Sequence, residues 1–432
     1  MKVCKFGGTS MSSADTIKRV AEIIKSDSER RFVVVSAPGK RFDNDIKITD
    51  SLFDCYSRWD KNGPEIFDSV ANRFLELASD LGVLSGVAKI LASYKERLPR
   101  LKTPDGLVAM GEHLSAYILS SYIGWDFVDS KDIIKFDING EFNSEYTNDL
   151  CSKILKNYTH AVISGFYGSD PLNNIRVFTR GGSDITGAIV ARAVSADVYE
   201  NWTDVLGFYV ADPRIVKNPK IIKSLSYKEM RELSYMGASV IHPDSVFPVR
   251  QANIAINIRN TFYPEHQGTM IYPNLTEFDS LVTGIAGKKY FTSILIEKSK
   301  MNSEVGFTRK LLSVLENYHV SFEHIPSGID TMTLVIANSE IKGRLQEIIS
   351  DIKTAVSPET IEVQENLSLI ATVGHGMSFK TGTASRLFSA LSRYGINVRM
   401  IDQGSSELNI IVAVANDDYE KAINAIYEEF IN

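Results

Sequence analysis

Two Gly-Gly pairs set among charged residues carry the chemical signal in this chain. Lys5-Phe6-Gly7-Gly8-Thr9-Ser10 closes the first apolar run and stands just ahead of the first amphipathic stretch. Paired glycines let the backbone approach a ligand closely, and successive amides at a helix entrance attract an anion. Lys5 adds a mobile positive charge. This equipment suits phosphoryl transfer, in which catalysis is mostly positioning plus stabilisation of charge spreading over the phosphoryl oxygens. The same turn also serves as a plain tight connection. The Walker pattern, in which a second glycine is followed directly by lysine, is absent, which argues against a P-loop NTPase.

Thr179-Arg180-Gly181-Gly182-Ser183-Asp184 repeats the arrangement between a strand-like stretch at 176–178 and a helical pattern at 183–194. Arg180 can grip a carboxylate through two parallel hydrogen bonds, and Asp184 in the first helical turn can orient donors around phosphates. A purely structural account makes Ser183 an N-cap and Asp184 a partner of the positive helix end. A third cluster runs from Asn201-Trp202-Thr203-Asp204 through Gly207-Phe208-Tyr209 to Asp212-Pro213-Arg214. It can seat an adenine and bring Arg214 to phosphates, or it is a Pro-ended turn with a solvated ion pair.

The elements that must hold these residues are legible as periodicities. The runs 31–36 and 161–165 are short and apolar and end in small or polar residues, as buried parallel strands do. Between them lie helical patterns such as 13–25 and 183–194. Alternating strands and helices predict an α/β sheet covered on both faces as far as about Pro273. Beyond it, two stretches share one order of elements. The first reads as a strand at 292–297, a helix at 305–318, strands at 320–325 and 331–337, a helix at 341–351 and a strand near Ile361. The second reads as a strand at 369–373, a helix at 384–394, strands at 396–401 and 408–415, and a helix at 418–430. Both are βαββα units of ferredoxin-like type. The second lacks a fourth strand, which the run 281–286 is expected to supply.

Composition narrows the function. The chain has 432 residues, 44% hydrophobic and 23% charged, enough for two or three packed cores. A formal net charge of -6 provides no general attraction to nucleic acid or an anionic membrane. Cys4, Cys55 and Cys151 are odd in number and lack zinc-site spacing or a disulfide framework, which suits a reducing cytoplasm. The residues MKVCKFGGTS contain no signal-peptide core, and no run of about 20 apolar residues occurs. A cytoplasmic protein is expected.

KFGGTS at the start, GEHLS at 111–115, RGGSD at 180–184, TDVLGFYVADPR at 203–214 and IHP at 241–243, in that order, resemble the aspartokinase family over essentially the whole chain. The resemblance implies an amino-acid-kinase domain at 1–273, a three-layer α/β/α sandwich, followed by two ACT domains near 281–365 and 366–432. It implies transfer of the ATP γ-phosphoryl group, with Mg²⁺, to the side-chain carboxylate of L-aspartate, the first step toward lysine, threonine and methionine. Lys5 would stabilise the transferring group, the Gly7 and Gly8 amides would cradle it, and Asp184 would organise Lys5 and the phosphates. Arg180 would hold the α-carboxylate and Glu112 the α-amino group, with Ser36, Thr49 and Ser183 helping to seat aspartate. ATP would lie along Thr203, Asp204, Tyr209 and Arg214, and no protein cage for a metal is implied.

Two features depart from a simple transfer of roles. Many members carry a lysine where this chain has Ser239, which removes a presumed phosphate contact and calls for another cation nearby. His242 invites a general-base reading, but a carboxylate nucleophile is already ionised near neutral pH and needs no base. His242 is therefore read as a turn residue.

ACT domains pair through their sheets and bind a small amino acid, which implies a homodimer or homotetramer under feedback control. The matching effector residues are Met301, Gly306, Phe307, Ser321, Glu323, Ser327, Gly328 and Asp330, with lysine the first effector expected and threonine its competitor. Other readings are an amino-acid kinase for a different acceptor, against which Glu112, Arg180 and the doubled tail argue, and a non-catalytic amino-acid sensor that kept the fold.

Overall fold

The computed structural model describes every residue except Arg180, Ser239, Thr276, Glu277, Asp279 and Asn432, and the side chain of Arg100. The chain forms two units. One comprises Met1–Phe208, Ile221–Met230 and Val240–Leu275, and the other Tyr209–Lys220, Arg231–Ser239 and Thr276–Asn432. Two short segments between residues 209 and 239 thus belong with the C-terminal unit.

The first unit is built on an eight-stranded sheet. Its strands are β1 (Lys2–Phe6), β2 (Arg30–Val35), β3 (Asp126–Val128), β4 (Ala161–Ser164), β7 (Val198–Thr203), β8 (Ser224–Ser226), β9 (Ala255–Asn260) and β10 (Thr269–Tyr272). A separate hairpin joins β5 (Tyr167–Ser169) to β6 (Ile175–Val177). The sheet order is β3-β4-β2-β1-β7-β9-β10-β8, with every pairing parallel except β9 to β10. The helix Ala14–Lys25 begins at Ser13, whose side chain accepts from the Thr16 amide while Thr16 caps Ser13 in return. That reciprocal capping box satisfies two amides that a helix start leaves open.

Because side chains alternate across a strand, one face of β1 and β7 buries Cys4, Phe6 and Trp202 against the helices Ala14–Lys25, Gly63–Asp80 and Met110–Ile123. The other face directs Lys5, Tyr199 and Asn201 toward the helix Gly182–Ala193. That helix starts at Gly181, which has φ 55°. Ser183 is therefore inside the first turn, and the N-cap account of it is corrected: a residue in left-handed conformation occupies the cap.

A buried charge cluster fastens the centre of this sheet. Glu200 on β7, 1% exposed, accepts from Arg30 Nε at 2.8 Å and from Trp202 Nε1 at 2.9 Å. Lys2 and Arg259 stand 3.7 and 3.8 Å from it, and the Arg30 and Arg259 guanidiniums lie 5.1 and 4.6 Å from the centre of the Trp202 ring. One carboxylate thus serves three cations. Although burial alone would raise its pKa, hydrogen bonds and the Arg30 charge hold Glu200 below the usual carboxylate range.

The second unit carries one five-stranded antiparallel sheet in the order β12-β11-β13-β15-β14. The strands are β11 (Gly284–Glu297), β12 (Thr331–Ala337), β13 (Thr360–Val373), β14 (Met400–Asp402) and β15 (Asn409–Ala415). Sequence periodicity divided each of the two longest into separate short strands, and the structure joins them. β11 and β13 each run 14 residues and pair along their length, interrupted by register shifts around Phe291. Within β11, Gly284, Ile285 and Ala286 pair with Val373, Thr372 and Ala371, while Phe291 to Glu297 also pair with β12. The matched helices Phe307–Asn317 and Thr383–Arg393 each follow a glycine at positive φ, Gly306 at 84° and Gly382 at 86°.

Three predicted elements change. The strand expected at 320–325 is irregular, with bridges only at His324 and Ser327, because Pro326 has no amide to continue a ladder. The helix expected at 341–351 starts instead at Leu345, since Lys342 and Gly343 take φ values of 50° and 78° and break it. The strand at 396–401 shortens to Met400–Asp402.

Replacing Glu200 by Gln leaves three cations around a neutral amide. Such a loss inside a buried ion cluster costs about 3–5 kcal/mol, and denaturant unfolding at pH 7 is expected to report it. Glu200's lowered pKa makes its contribution complete above the ordinary carboxylate value and lost as pH falls through the folded one. The Gln variant should therefore lose part of the acid sensitivity of the parent.

Candidate active site

At the C-terminal ends of β1 and β2 the first unit opens into a cavity of about 840 Å³. Parallel sheets place ligands there because the loops leaving the strands converge above the sheet. The walls include Lys5, Gly8, Thr9, Ser36, Thr49, Glu112, Ser183, Asp184 and Asp204, so eight of the sequence-predicted residues meet Thr9 around one space.

Lys5 Nζ lies 2.6 Å from Asp184 Oδ1, and Asn201 Nδ2 donates to the same oxygen at 2.9 Å. Asp184 is thereby held from two sides, while Lys5, 8% exposed, keeps its ammonium at the cavity wall. Asn201, which the sequence motifs leave without an individual role, joins this pair. Its signal was the strand register, since it pairs directly with Lys5.

The glycine turn acts differently from the expectation. Gly7 N–H donates to Trp202 O at 3.0 Å, extending the β1 to β7 ladder, so this amide is committed to the sheet. The assignment of the Gly7 amide to a phosphate is corrected. Among the described residues the amides of Gly8 and Thr9 have no acceptor, and both residues line the cavity. Asp204 accepts from Thr9 Oγ1 at 3.0 Å and from Thr203 Oγ1 at 3.2 Å, which ties the end of β7 to this turn.

Glu112 occupies the first turn of the helix Met110–Ile123 and is 4% exposed. Burial raises its pKa to about 8, against the opposing pull of the Ala37 amide and the Lys5 charge. Its Oε2 has no hydrogen-bond partner among the described residues. A buried carboxyl with an unpartnered oxygen, on a residue that lines the cavity, is an incomplete site for a cation. Its helix is anchored by His113, 3.4 Å from Asp129, which also accepts from Tyr167 Oη at 2.8 Å.

Small residues make the remaining wall. A Cβ on Gly165 would stand 2.7 Å from the Ser183 side chain, and one on Gly182 would stand 2.5 Å from the Phe166 ring. Phe166, at φ 80°, lines the cavity and was not singled out from sequence. Lys40, Arg41 and Lys47 also line it and supply positive charge on the loop between β2 and the helix Ile48–Ser57.

Arg180 and Ser239 lie outside the described residues. Tyr209 and Arg214 belong to the second unit, where Arg214 forms a surface ion pair with Asp212 at 2.6 Å. His242 accepts the Asp244 amide through Nδ1 and caps the short helix Pro243–Val246, as a turn residue does.

Met301 and Phe307 are buried in the core of the first ACT-like half. Nearby, Asn302 N–H donates to Ile329 O, Lys300 N–H to Asp330 and Gly328 N–H to Thr331 O, gathering Gly306, Ser327, Gly328 and Asp330 around one end of that half. Ser321 and Glu323 follow the other end of the helix Phe307–Asn317.

A parallel α/β sheet with a lysine, a paired aspartate and open glycine-turn amides at its C-terminal edge defines a kinase of small molecules. The amino acid kinase family model matches residues 1–260, and an ACT domain model matches residues 370–430. Aspartokinase 3 of Bacillus subtilis (strain 168) is 36% identical over 100% of this chain and 98% of its own length. The crystal structure of Clostridium acetobutylicum aspartate kinase is 45% identical, covers 100% of both chains and superposes with a TM-score of 0.94. E. coli aspartokinase III, solved with aspartate and ADP, shares the fold at 24% identity and a TM-score of 0.76 over 99% of both chains. The chain belongs to the aspartokinase family and is an enzyme of that family, with C-terminal ACT domains. No helix among the described residues is long and apolar enough to cross a membrane.

If Glu112 receives an ammonium group, it must first lose its proton. The KM for the amino-acid substrate is then expected to fall as pH rises from 6 toward 8, the region of its raised pKa. A Glu112→Gln variant should bind weakly at every pH without that slope. Steady-state kinetics across this range checks it, and an unchanged slope in the variant would remove Glu112 from the role.

Proposed function

We propose that this enzyme transfers the γ-phosphoryl group of ATP to the side-chain carboxylate of L-aspartate, giving 4-phospho-L-aspartate for the route to lysine, threonine and methionine. The observation that carries the reading is the Lys5–Asp184 pair, 2.6 Å apart beside the open Gly8 and Thr9 amides. The Glu112 carboxyl lines the same cavity.

In this mechanism a carboxylate oxygen of aspartate attacks the γ-phosphorus. The new O–P bond forms as the bond to the β,γ-bridging oxygen breaks, and ADP leaves with that electron pair. No proton moves, because the nucleophile is already ionised. Lys5 meets charge growing on the transferring group, Asp184 keeps Lys5 in place, and the Gly8 and Thr9 amides hold phosphate oxygens. Glu112 takes the α-amino group and Arg180 the α-carboxylate, and Ser36, Thr49 and Ser183, which line the cavity with Glu112, help to seat aspartate. Thr203, Asp204, Tyr209 and Arg214 remain the proposed nucleotide contacts.

Magnesium ordinarily keeps several waters and binds one or two carboxylates plus substrate phosphates. Among the described residues no three potential metal ligands cluster. Asp184 and Asp204 at the cavity wall fit that sparse mode of binding, in which the ion neutralises phosphate charge.

Lysine is proposed as the effector at the first ACT half, near Met301, Gly306, Phe307, Ser327, Gly328 and Asp330, with Ser321 and Glu323 further along. Packing supports the first half over the second. At the matching loop of the second half, a Cβ on Gly374 or Gly376 would meet backbone oxygens of Leu281 or Ser280 at 2.4 and 2.8 Å, so that loop is already covered. A homodimer or homotetramer is proposed through β12 and β14, which end the sheet and leave backbone groups to pair.

Hydroxamate formation from ATP, Mg²⁺ and hydroxylamine tests the reading. L-Aspartate should give product and L-glutamate none, Asp184→Ala should lower turnover by about 100-fold, and lysine should suppress it. Product from glutamate, or full turnover in the Asp184 variant, would overturn the assignment.

A further inference from the structure

The loop at 39–47 stands between two open spaces. Lys40 and Lys47 line the active-site cavity, Asn44, Asp45 and Ile46 line a second cavity of about 760 Å³, and Arg41 lines both. A loop with space on both sides has little packing to hold it, so its polar anchors decide where it lies.

Those anchors converge on Arg73 of the helix Gly63–Asp80, 8% exposed. Its Nη2 donates to Gly39 O and, at 3.5 Å, to Ser12 O, while Nη1 donates to Ile46 O at 3.4 Å and lies 3.5 Å from Asp45. Arg41 grips the same Asp45 through two bonds of 2.9 and 3.1 Å, which closes the loop on itself. One guanidinium therefore holds both ends of the loop and its internal clasp.

The contact continues to the catalytic turn. Gly39 N–H donates to Gly8 O at 2.7 Å, and the two backbones touch so closely that a Cβ on Gly39 would lie 2.7 Å from Gly8 C. The Gly39 residue thus links Arg73 on its carbonyl side to Gly8 on its amide side. We propose that Arg73 is a positioning residue for the nucleotide: by fixing Gly39 it sets the Gly8–Thr9 turn and holds the cationic loop over the phosphates. The inference rests on the phosphoryl-transfer reading above.

The test uses the full-length chain with Arg73→Ala, Arg73→Lys and Asp45→Asn, each checked for folding by thermal melting. Arg73→Ala is expected to raise the KM for ATP about tenfold or more, the usual effect of losing charge-assisted bonds, while the KM for aspartate stays within about twofold. Arg73→Lys should fall between, and Asp45→Asn should move the same constant less. A role limited to stability would instead lower the melting temperature and the active fraction with both KM values unchanged, and that result overturns the proposal. Should Arg73→Ala not fold, Asp45→Asn and Arg73→Lys decide by the same split. Calorimetry with a non-hydrolysable ATP analogue needs no turnover: weaker binding in the variants supports the inference, and equal binding sinks it. Wild-type enzyme that binds the analogue but forms no aspartyl hydroxamate would defeat the aspartate assignment alone.

Discussion

The catalytic unit depends on one parallel register, in which Cys4 pairs with Glu200, Lys5 with Asn201 and Phe6 with Trp202. Because side chains alternate across strands, this pairing divides the two strands into a buried face and a working face. On the buried face Glu200 collects Arg30, Lys2 and Arg259 around Trp202. On the working face Lys5 and Asn201 reach the same oxygen of Asp184. A slip of one residue would send Lys5 into the apolar layer and Phe6 toward the cavity. The buried ion cluster, costly to form and worse to break in part, thus accompanies a register on which the chemistry relies.

Backbone proximity is the second theme. Gly8 and Gly39 touch, and Gly165 and Gly182 leave room for Ser183 and Phe166. Each glycine lets a loop approach another loop rather than a ligand alone. The family motif of two consecutive glycines conceals a division of labour, since Gly7 completes the sheet and leaves Gly8 and Thr9 to face the cavity. Glu112 follows the opposite logic. Its carboxyl is raised in pKa because it is buried, against the opposing pull of the Ala37 amide and the Lys5 charge, and its Oε2 has no partner among the described residues.

In the C-terminal unit, β11 and β13 each pass through both ACT-like halves. The two halves share these strands, and the register shifts around Phe291 fall where one half passes into the other. The segment at 280–282 covers the second half's glycine loop and leads directly into β11.

The amino-acid sequence by itself determined the local facts. Short apolar runs marked β2 and β4, helical spacing marked Ala14–Lys25, and the ordered motifs around Lys5, Glu112 and Asp184 identified the family. Short-range patterns carry such information because periodicity and turn chemistry are properties of neighbours. Tertiary structure alone decided which of two adjacent glycine amides stayed open, that 284–286 and 292–297 lie in one strand, and that Pro326 leaves the expected strand irregular. It also brought Arg73, which no motif marks, to the carbonyl of Gly39. These outcomes depend on hydrogen bonds between residues far apart in the chain, and a backbone amide commits to a sheet, a loop or a ligand only when its partner arrives in space.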